Sequence, residues 1–447
     1  MNKELIKTIL LTFLVCNSVF LTWSIVTYSP KIDLTTKEQV IPNVAISNKK
    51  AEKDIIRPSL IMVHEDDEYY GSIKDEDINM VLDEMDDWTF YNFKDVTNSI
   101  TQKVQSFIDK KAMIELVFPD NVPFAIYKKV IKVEDRELRR DLEFDRILIS
   151  AATGNGEENE VYFVSTDPEK KYVYRFDVSA SHLKKLTNQI REKAKKFDHY
   201  TVINATPNKA LYVPENKGQY PKYKYTTKLL DVNKFKNALF PDPGVVKSDQ
   251  IVRGQEFTGG STFMRVFYDT MVLKYVNPGL KETYKTAKAD LLENSIEFIN
   301  EHSGWEDNYR FAEINQDEQK TTFRLYVNGL PTFNNQFMSE LVQKWVEDDL
   351  KSYFRPFFTL ELAILSESDM VTLPSGKEAF QQISSVAEPN YEADLLEDMQ
   401  IGYRMVKDME AFQYDNISLE PAWYYKYNGE WKSLTLKQTG GISRGLE

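Results

Sequence analysis

Residues 8–30, TILLTFLVCNSVFLTWSIVTYSP, contain no charged side chain. As an α-helix with a rise of about 1.5 Å per residue, this stretch is long enough to cross a hydrocarbon core of roughly 30 Å. It therefore predicts a single transmembrane helix at 8–30. We therefore expect the rest of the chain to be tethered next to a membrane.

The length and the flanks of this stretch favour a permanent anchor over a cleaved signal peptide. Signal peptides have apolar regions of about 7–15 residues that end at a small-residue cleavage site, whereas this one continues to Tyr28 and no Ala-x-Ala follows Pro30. Because Lys3 and Lys7 precede the span, the positive-inside rule places residues 1–7 in the cytoplasm. We therefore expect a single-pass protein of the cell membrane whose remaining domains are extracytoplasmic.

Cysteine content and charge narrow the class of protein further. The one cysteine, Cys16, lies inside the predicted span, so the extracytoplasmic part has neither a disulfide nor a thiol nucleophile. A large extracytoplasmic domain without disulfides favours a bacterial, and more specifically a Gram-positive, protein. With 69 acidic against 56 basic residues, the net charge is −13, which disfavours nucleic acid and anionic lipid as partners.

Changes in composition and periodicity divide the chain beyond the span. Helical and alternating patterns occur together, so we predict a mixed α+β fold with antiparallel sheets, arranged as a three-domain ectodomain. The predicted segments are a stalk or linker at 31–56, an N-terminal α+β domain at 57–199, a central domain at 200–280, a C-terminal α+β domain at 281–437 and a tail at 438–447.

The C-terminal part repeats one pattern, a helix followed by strands that include an Asn-Gly turn. Asn-Gly suits a type I′ hairpin turn because both of its central positions need a positive φ. Ser375 and Glu378 form a capping-box sequence at the start of the second predicted helix. We therefore predict two α-β-β-β units, an internal duplication. The helices are predicted at 281–302 and 375–397, and the turns at 328–329 and 428–429.

The segment between these units, residues 337–358, fits either a helix or a hairpin that turns at Asp348-Asp349. The aromatic pair Tyr353-Phe354 is typical of a strand, so we favour the hairpin.

Motifs that would indicate catalysis or metal binding all have a simpler interpretation. In the acid-rich stretch 65–87, Met80 stands where a calcium loop needs glycine, which favours a solvated acidic helix face. Ser181-x-x-Lys184 resembles the nucleophile motif of acyl-serine enzymes, but Ser181 also stands where a helix cap belongs. The histidines lack zinc-site spacing: they are His64, His182, His199 and His302. We therefore predict that the protein is not an enzyme and has no catalytic residue, cofactor or metal.

One face of the predicted span carries small and hydroxyl side chains. At 100° per residue, six residues fall within an arc of about 100°, and such a face allows helices to approach closely in lipid. These residues, which we call the stripe, are Thr8, Thr12, Cys16, Val19, Trp23 and Thr27. The anchor is either an inert tether or a helix that docks on another protein's transmembrane segment, and the stripe is the candidate interaction site.

Several short motifs, in their order along the chain, resemble those of the YycH (WalH) family. The resemblance spans the whole chain and includes its length and its single anchor. The motifs are Val19-Phe-Leu-Thr-Trp23, Tyr326-Val-Asn-Gly-Leu-Pro331, Tyr353-Phe-Arg-Pro356, Ile401-Gly-Tyr-Arg404 and Leu419-Glu-Pro-Ala-Trp-Tyr424.

This resemblance implies an accessory regulator of the essential two-component system that controls cell-wall metabolism in Gram-positive bacteria. The implied partners are the membrane sensor histidine kinase of that system and a sister protein, YycI, and the transmembrane helices would contact the kinase. It also implies three ectodomain domains, of which the last two are similar in fold to YycI.

Two other functions stay open. One is a module that senses wall fragments or peptides in an aromatic cleft near Trp423, Tyr424 and Trp431, although these residues also suit a hairpin core. The other is an envelope acyl-serine hydrolase that uses Ser181.

Overall fold

The computed structural model describes residues 3–27 and 49–434, except for 66–67, 101–103, 112, 135–137, 151–158, 168–169, 171, 207–208, 282–283, 365–368, 389 and 409–415. The chain divides into two compact units, Met1–Val40 and Ile41–Glu447.

The first unit contains helix α1, Lys3–Thr27. The predicted helix is therefore confirmed as a helix as far as Thr27, and residues 28–30 lie outside the described residues. No helix in the described part of the chain is long and apolar enough to cross a membrane. The transmembrane assignment accordingly stays a prediction.

The second unit is a mixed α+β structure in which antiparallel sheets predominate, as the sequence predicts. Its α-helices among the described residues are α2 (Glu52–Ile55), α3 (Asp75–Met85), α4 (Val104–Lys111), α5 (Phe124–Tyr127), α6 (Ala180–Ala194), α7 (Val232–Leu239), α8 (Lys288–Phe298) and α9 (Gly376–Gln382). Helices α8 and α9 each continue into a π-helical turn, Ile299–Ser303 and Ile383–Ala387 respectively.

The first sheet has ten strands in the order β10-β9-β2-β1-β4-β6-β7-β8-β3-β5, and only the short β3–β5 pair is parallel. Its strands are β1 (Leu60–Glu65), β2 (Glu68–Ser72), β3 (Thr89–Asp95), β4 (Ile114–Pro123), β5 (Lys132–Val133), β6 (Glu143–Ile149), β7 (Glu160–Ser165), β8 (Tyr172–Asp177), β9 (Asp198–Thr206) and β10 (Lys209–Pro214). Helices α3 and α6 pack on β1.

The second sheet runs β13-β14-β15-β16-β21-β20-β18-β19-β24-β25-β12-β22, with β17 paired to β18 and β26 to β25. A separate ribbon joins β11 (Gly218–Pro221) to β23 (Met370–Leu373). The strands of the second sheet are β12 (Tyr223–Leu229), β13 (Lys247–Ile251), β14 (Gly254–Gly259), β15 (Thr262–Phe267), β16 (Val272–Val276), β17 (Tyr309–Asn315), β18 (Lys320–Val327), β19 (Leu330–Phe333), β20 (Glu340–Val346), β21 (Asp349–Pro356), β22 (Phe358–Ile364), β24 (Leu396–Asp408), β25 (Asn416–Tyr427) and β26 (Glu430–Ser433).

These sheets cross the segment boundaries expected from the sequence. Strands β9 and β10 extend the first sheet to Pro214, and β16 pairs with β21. At the end of the predicted linker, Ile55 and Ile56 are buried in the core, and residues 31–48 lie outside the described residues. The division into domains at about 200 and 280 stays a prediction.

The local turn and cap predictions agree with the backbone. Both Asn-Gly pairs adopt positive φ, 49° and 80° at Asn328-Gly329 and 51° and 78° at Asn428-Gly429. Ser375 and Glu378 form the expected capping box. Strands β20 and β21 form the favoured hairpin, with its turn one residue earlier than expected, since Val346 pairs with Asp349.

The predicted helix at 375–397 is wrong in length. Helix α9 ends at Gln382 and its π turn ends at Ala387. Pro389 follows in the sequence, and a proline disfavours helical backbone in the residue before it. Glu388 is accordingly extended, with φ −118° and ψ 91°.

The two Asn-Gly turns provide a matched test of how closely the second sheet approaches the first. A Cβ at Gly329 would lie 2.1 Å from the carbonyl oxygen of Ile73, whereas a Cβ at Gly429 meets nothing within 4 Å. Both glycines have left-handed backbone, so alanine costs about 1–2 kcal/mol at either position. We predict that Gly329→Ala lowers the free energy of unfolding, measured in urea, by at least about 2 kcal/mol more than Gly429→Ala does, because only Gly329→Ala displaces backbone. Equal losses would contradict this packing.

Candidate functional site

The predicted interaction stripe is described at two of its six side chains. Thr12 and Cys16 are both exposed on α1. The side chains of Thr8, Val19, Trp23 and Thr27 lie outside the described residues. The proposal that the stripe contacts a partner stays a prediction.

The candidate catalytic and metal-binding residues do not converge. Ser181 and Lys184 are exposed on the first turns of α6, and the hydroxyl of Ser181 lies 2.9 Å from that of Ser179. Within the described residues, no three His, Cys, Asp or Glu side chains are grouped to hold a metal ion.

The histidines lie at separate sites. The Nδ1 atom of His302 is 3.1 Å from the carbonyl oxygen of Phe298 in its own helix, and the ring of His199 packs on Tyr70. The Nε2 atom of His64 is 3.0 Å from the carboxylate of Glu115.

The residues of the proposed aromatic cleft pack within the second sheet. Trp423 is fully buried and donates its indole N–H to the carbonyl oxygen of Pro374 at 3.0 Å. Tyr424 and Trp431 instead both contact Phe333, with ring centroids 3.9 Å and 5.1 Å away. These rings are cross-strand packing partners.

One cavity of the second unit, of about 480 Å³, lies between the two sheets. Its first-sheet wall contains a buried charge network that the sequence analysis missed. Glu115, with no exposed surface, accepts a hydrogen bond from the hydroxyl of Tyr212 at 2.7 Å and lies 3.1 Å from Nε of Arg146. Arg146 also donates to the carboxylate of Asp145 at 2.8 Å. Each buried charge therefore has an opposite charge in contact.

The electrostatics of this wall follow from the pairing. Burial lowers the pKa of Arg146, but Asp145 and Glu115 outweigh it and raise that pKa above its ordinary value. Burial, together with Glu115, raises the pKa of Tyr212 well above its ordinary range. The sequence signal for this network is the charged residues inside two otherwise apolar strand segments, one in Ile114–Phe118 and two in Phe144–Ile149.

The second-sheet wall of the cavity is also internally paired. The Lys426 ammonium lies 3.0 Å from Glu313 and 3.4 Å from Glu397. Asp120, from the first sheet, accepts a hydrogen bond from the Ile314 amide at 2.9 Å. The cavity therefore separates two surfaces whose charges are largely compensated by protein groups.

Further ion pairs join helix α3 and the first sheet to the C-terminal elements. Arg310, on β17, donates to both carboxylate oxygens of Asp75 at 2.6 and 2.7 Å. Lys288 pairs with Glu143 at 2.7 Å. The acidic helix α3 therefore differs from the solvated face expected from the sequence, since Asp75 is paired and Asp77 is buried against Ser72 and Lys193.

Two protein-family models match this chain, one after the other. The model for the N-terminal domain of the YycH protein matches residues 4–195, and the model for its C-terminal domain matches residues 208–441. The chain belongs to the YycH family.

Individual members of the YycH family match over nearly the whole chain. The two-component system WalR/WalK regulatory protein YycH of Bacillus subtilis (strain 168) is 23% identical over 464 residues, which cover 100% of both chains. The crystal structure of YycH from Bacillus subtilis has the same fold, with a TM-score of 0.70 at 20% identity over 87% of this chain and 98% of that chain. The family expected from the motifs is confirmed.

The Asp75–Arg310 pair predicts an asymmetric response to mutation. The Arg310 side chain is 4% exposed and that of Asp75 is 36% exposed. Asp75→Ala leaves a buried cation without its partner, so we expect the free energy of unfolding to fall by about 3–5 kcal/mol. Arg310→Met leaves the Asp75 carboxylate in contact with water, so we expect a smaller loss in the free energy of unfolding. Denaturant unfolding of both variants measures the difference, with Lys285→Ala in the exposed Lys285–Asp317 pair as the control. Equal losses at Asp75 and Arg310 would refute the asymmetry.

Asp120 predicts a pH dependence of stability. Burial raises its pKa to about 6, although Lys426 and the Ile314 amide lower it. Since this folded-state pKa exceeds the unfolded value of about 3.9, the contribution of Asp120 to stability is greatest at low pH and falls as the pH rises from about 4 to 6, by at most about 3 kcal/mol. Asp120→Asn should therefore gain stability relative to the parent between pH 4 and pH 7.5, measured by urea unfolding. A constant difference across this range would show that the carboxyl titrates normally.

Proposed function

We propose that this chain is a membrane-anchored accessory regulator of a sensor histidine kinase that controls cell-wall metabolism. The observation that carries the proposal is the end-to-end match to a protein named as a WalR/WalK regulatory protein. The uncharged residues 8–30 support an anchor. The folded unit lies outside the membrane in this proposal, and residues 1–7 lie in the cytoplasm.

The proposed mechanism is lateral association in the membrane. The stripe on α1 packs against transmembrane helices of the kinase, and the folded unit binds a YycI-like sister protein. A regulator shifts a kinase between two states only by binding one of them more tightly than the other. Small and hydroxyl side chains on the stripe support close helix packing in lipid. No catalytic step is part of this mechanism.

The first experiment separates the stripe from the rest of the anchor. Thr12→Leu combined with Cys16→Leu enlarges the stripe, while Leu14→Ile combined with Leu21→Ile changes the opposite face. We expect the stripe variant alone to alter expression of a reporter gene controlled by the two-component system, with normal protein level and membrane fractionation for both variants. Equal reporter output in all proteins would contradict docking through the stripe.

Crosslinking then identifies the partner. Cys16 is the chain's one cysteine, so single cysteines placed along the kinase's transmembrane helices report contact directly. We expect disulfide crosslinks at kinase positions that recur with a helical period. Crosslinks of equal yield at every position would indicate random collision in the membrane.

Ligand sensing is a second candidate function, and the cavities of the folded unit support it. The volume of about 480 Å³ between the sheets is large enough for a small molecule. The cleft near Trp423 gives no such support, because Trp423 is fully buried and Tyr424 and Trp431 pack on Phe333.

A further inference from the structure

Strand β22 forms one edge of the second sheet. Among the strands that the structure describes, it pairs with β12 on one side and with none on the other. Leu362 and Ile364, two residues apart on β22, are 65% and 49% exposed. An apolar edge strand of this kind readily accepts a further strand, because its outward peptide groups can pair with it.

The chain is held close to this edge at Lys50. Its backbone N–H donates to the side-chain oxygen of Asn300 at 2.9 Å, and its carbonyl oxygen accepts from the side-chain nitrogen of Asn300 at 3.1 Å. The Lys50 ammonium group donates to the carbonyl oxygen of Asp307 at 2.8 Å. Both the backbone and the side chain of Lys50 are therefore fixed.

Asp307 joins Lys50 to β22. Its carboxylate accepts a hydrogen bond from the hydroxyl of Thr359 at 2.9 Å and another from the backbone N–H of Leu360 at 3.3 Å. Leu360 is followed by the exposed residues 361–364. The residues that precede Lys50 in the chain therefore start from a point next to the exposed part of the edge.

The sequence before Lys50 has the composition and the length of a strand for this edge. Residues 40–47 read Val-Ile-Pro-Asn-Val-Ala-Ile-Ser, and β-branched residues favour strands. At about 3.3 Å per residue, the chain from Val44 to Lys50 can span about 20 Å, whereas β22 from Leu360 to Ile364 spans about 13 Å. The segment is therefore long enough to follow the edge to its end. The second compact unit also begins at Ile41.

We propose that residues 41–47 add an outermost strand to the second sheet, antiparallel to β22. Val44 and Ile46, which share one face of such a strand because side chains alternate, then lie beside Leu362 and Ile364. Pro42 is compatible with this position, since proline occurs on edge strands, where its missing N–H faces solvent. The linker expected at 31–56 accordingly contains a strand of the folded unit.

Disulfide crosslinking of the purified full chain in detergent tests the position of the segment. In a Cys16→Ala background, Val44→Cys or Ile46→Cys is combined with Leu362→Cys or Ile364→Cys, since adjacent strands bring Cβ atoms within reach of a disulfide.

The matched control combines Ile46→Cys with Val252→Cys, because Val252 is 90% exposed in the turn between β13 and β14, at the other edge of the sheet. We expect at least one test pair to give an intramolecular disulfide at a yield at least about tenfold above the control. Equal yields would overturn the proposal. Disulfides between two chains would also overturn it, because a second copy would then cover the edge.

Amide hydrogen exchange tests the pairing itself, because N–H groups bonded between strands exchange slowly. Neighbouring N–H groups point to opposite sides of a strand, so one of those at Ala45 and Ile46 faces β22. Ala45→Pro combined with Ile46→Pro should therefore speed exchange in residues 361–364 at least about tenfold.

The control for this exchange experiment is Thr35→Pro combined with Thr36→Pro, which lies earlier in the linker and should leave exchange in 361–364 unchanged. Unchanged exchange in β18 shows in each variant that the fold is intact. If residues 361–364 exchange equally fast in the parent and in the Ala45→Pro, Ile46→Pro variant, the proposal is overturned even if a test pair crosslinks.

Discussion

A charge removed from water must be compensated by another charge, and in this protein the compensating group often comes from a distant part of the chain. Arg310 is buried on β17, and its carboxylate partner, Asp75, lies 235 residues earlier on α3. Lys288 and Glu143 are 145 residues apart. Residues 41–447 contain no cysteine, so side-chain contacts of this kind and apolar packing hold the two sheets together. The approach of Gly329 to Ile73 shows that backbone also meets backbone across this contact.

The sequence predicted well those features that depend on residues only a few positions apart in the chain. The Asn-Gly turns depend on two residues that tolerate positive φ, and the capping box depends on a serine and a glutamate three residues apart. The length of α9 was overestimated because its helical periodicity continues past the point at which Pro389 stops the helix. The partners of α3 could not be predicted, because its sequence shows an acidic face and does not show that Arg310 and Lys193 lie opposite.

The functional assignment had a different basis from the fold. The candidate catalytic and metal-binding motifs each had a simpler interpretation, so the assignment did not rest on them. The order of short structural motifs along the chain indicated the family, and family models over both halves of the chain agree. The buried network around Glu115 was missed because a charged residue within an apolar strand has many interpretations until its partners are known.

The π-helical turns that follow α8 and α9 bear on how the C-terminal part arose. Such turns account for well under 1% of residues in proteins, and they appear mostly as single turns inside α-helices. Here one closes the helix of each predicted α-β-β-β unit, before the strands that contain the Asn-Gly turn. The same local ending of both helices is therefore one more element that the two predicted units share.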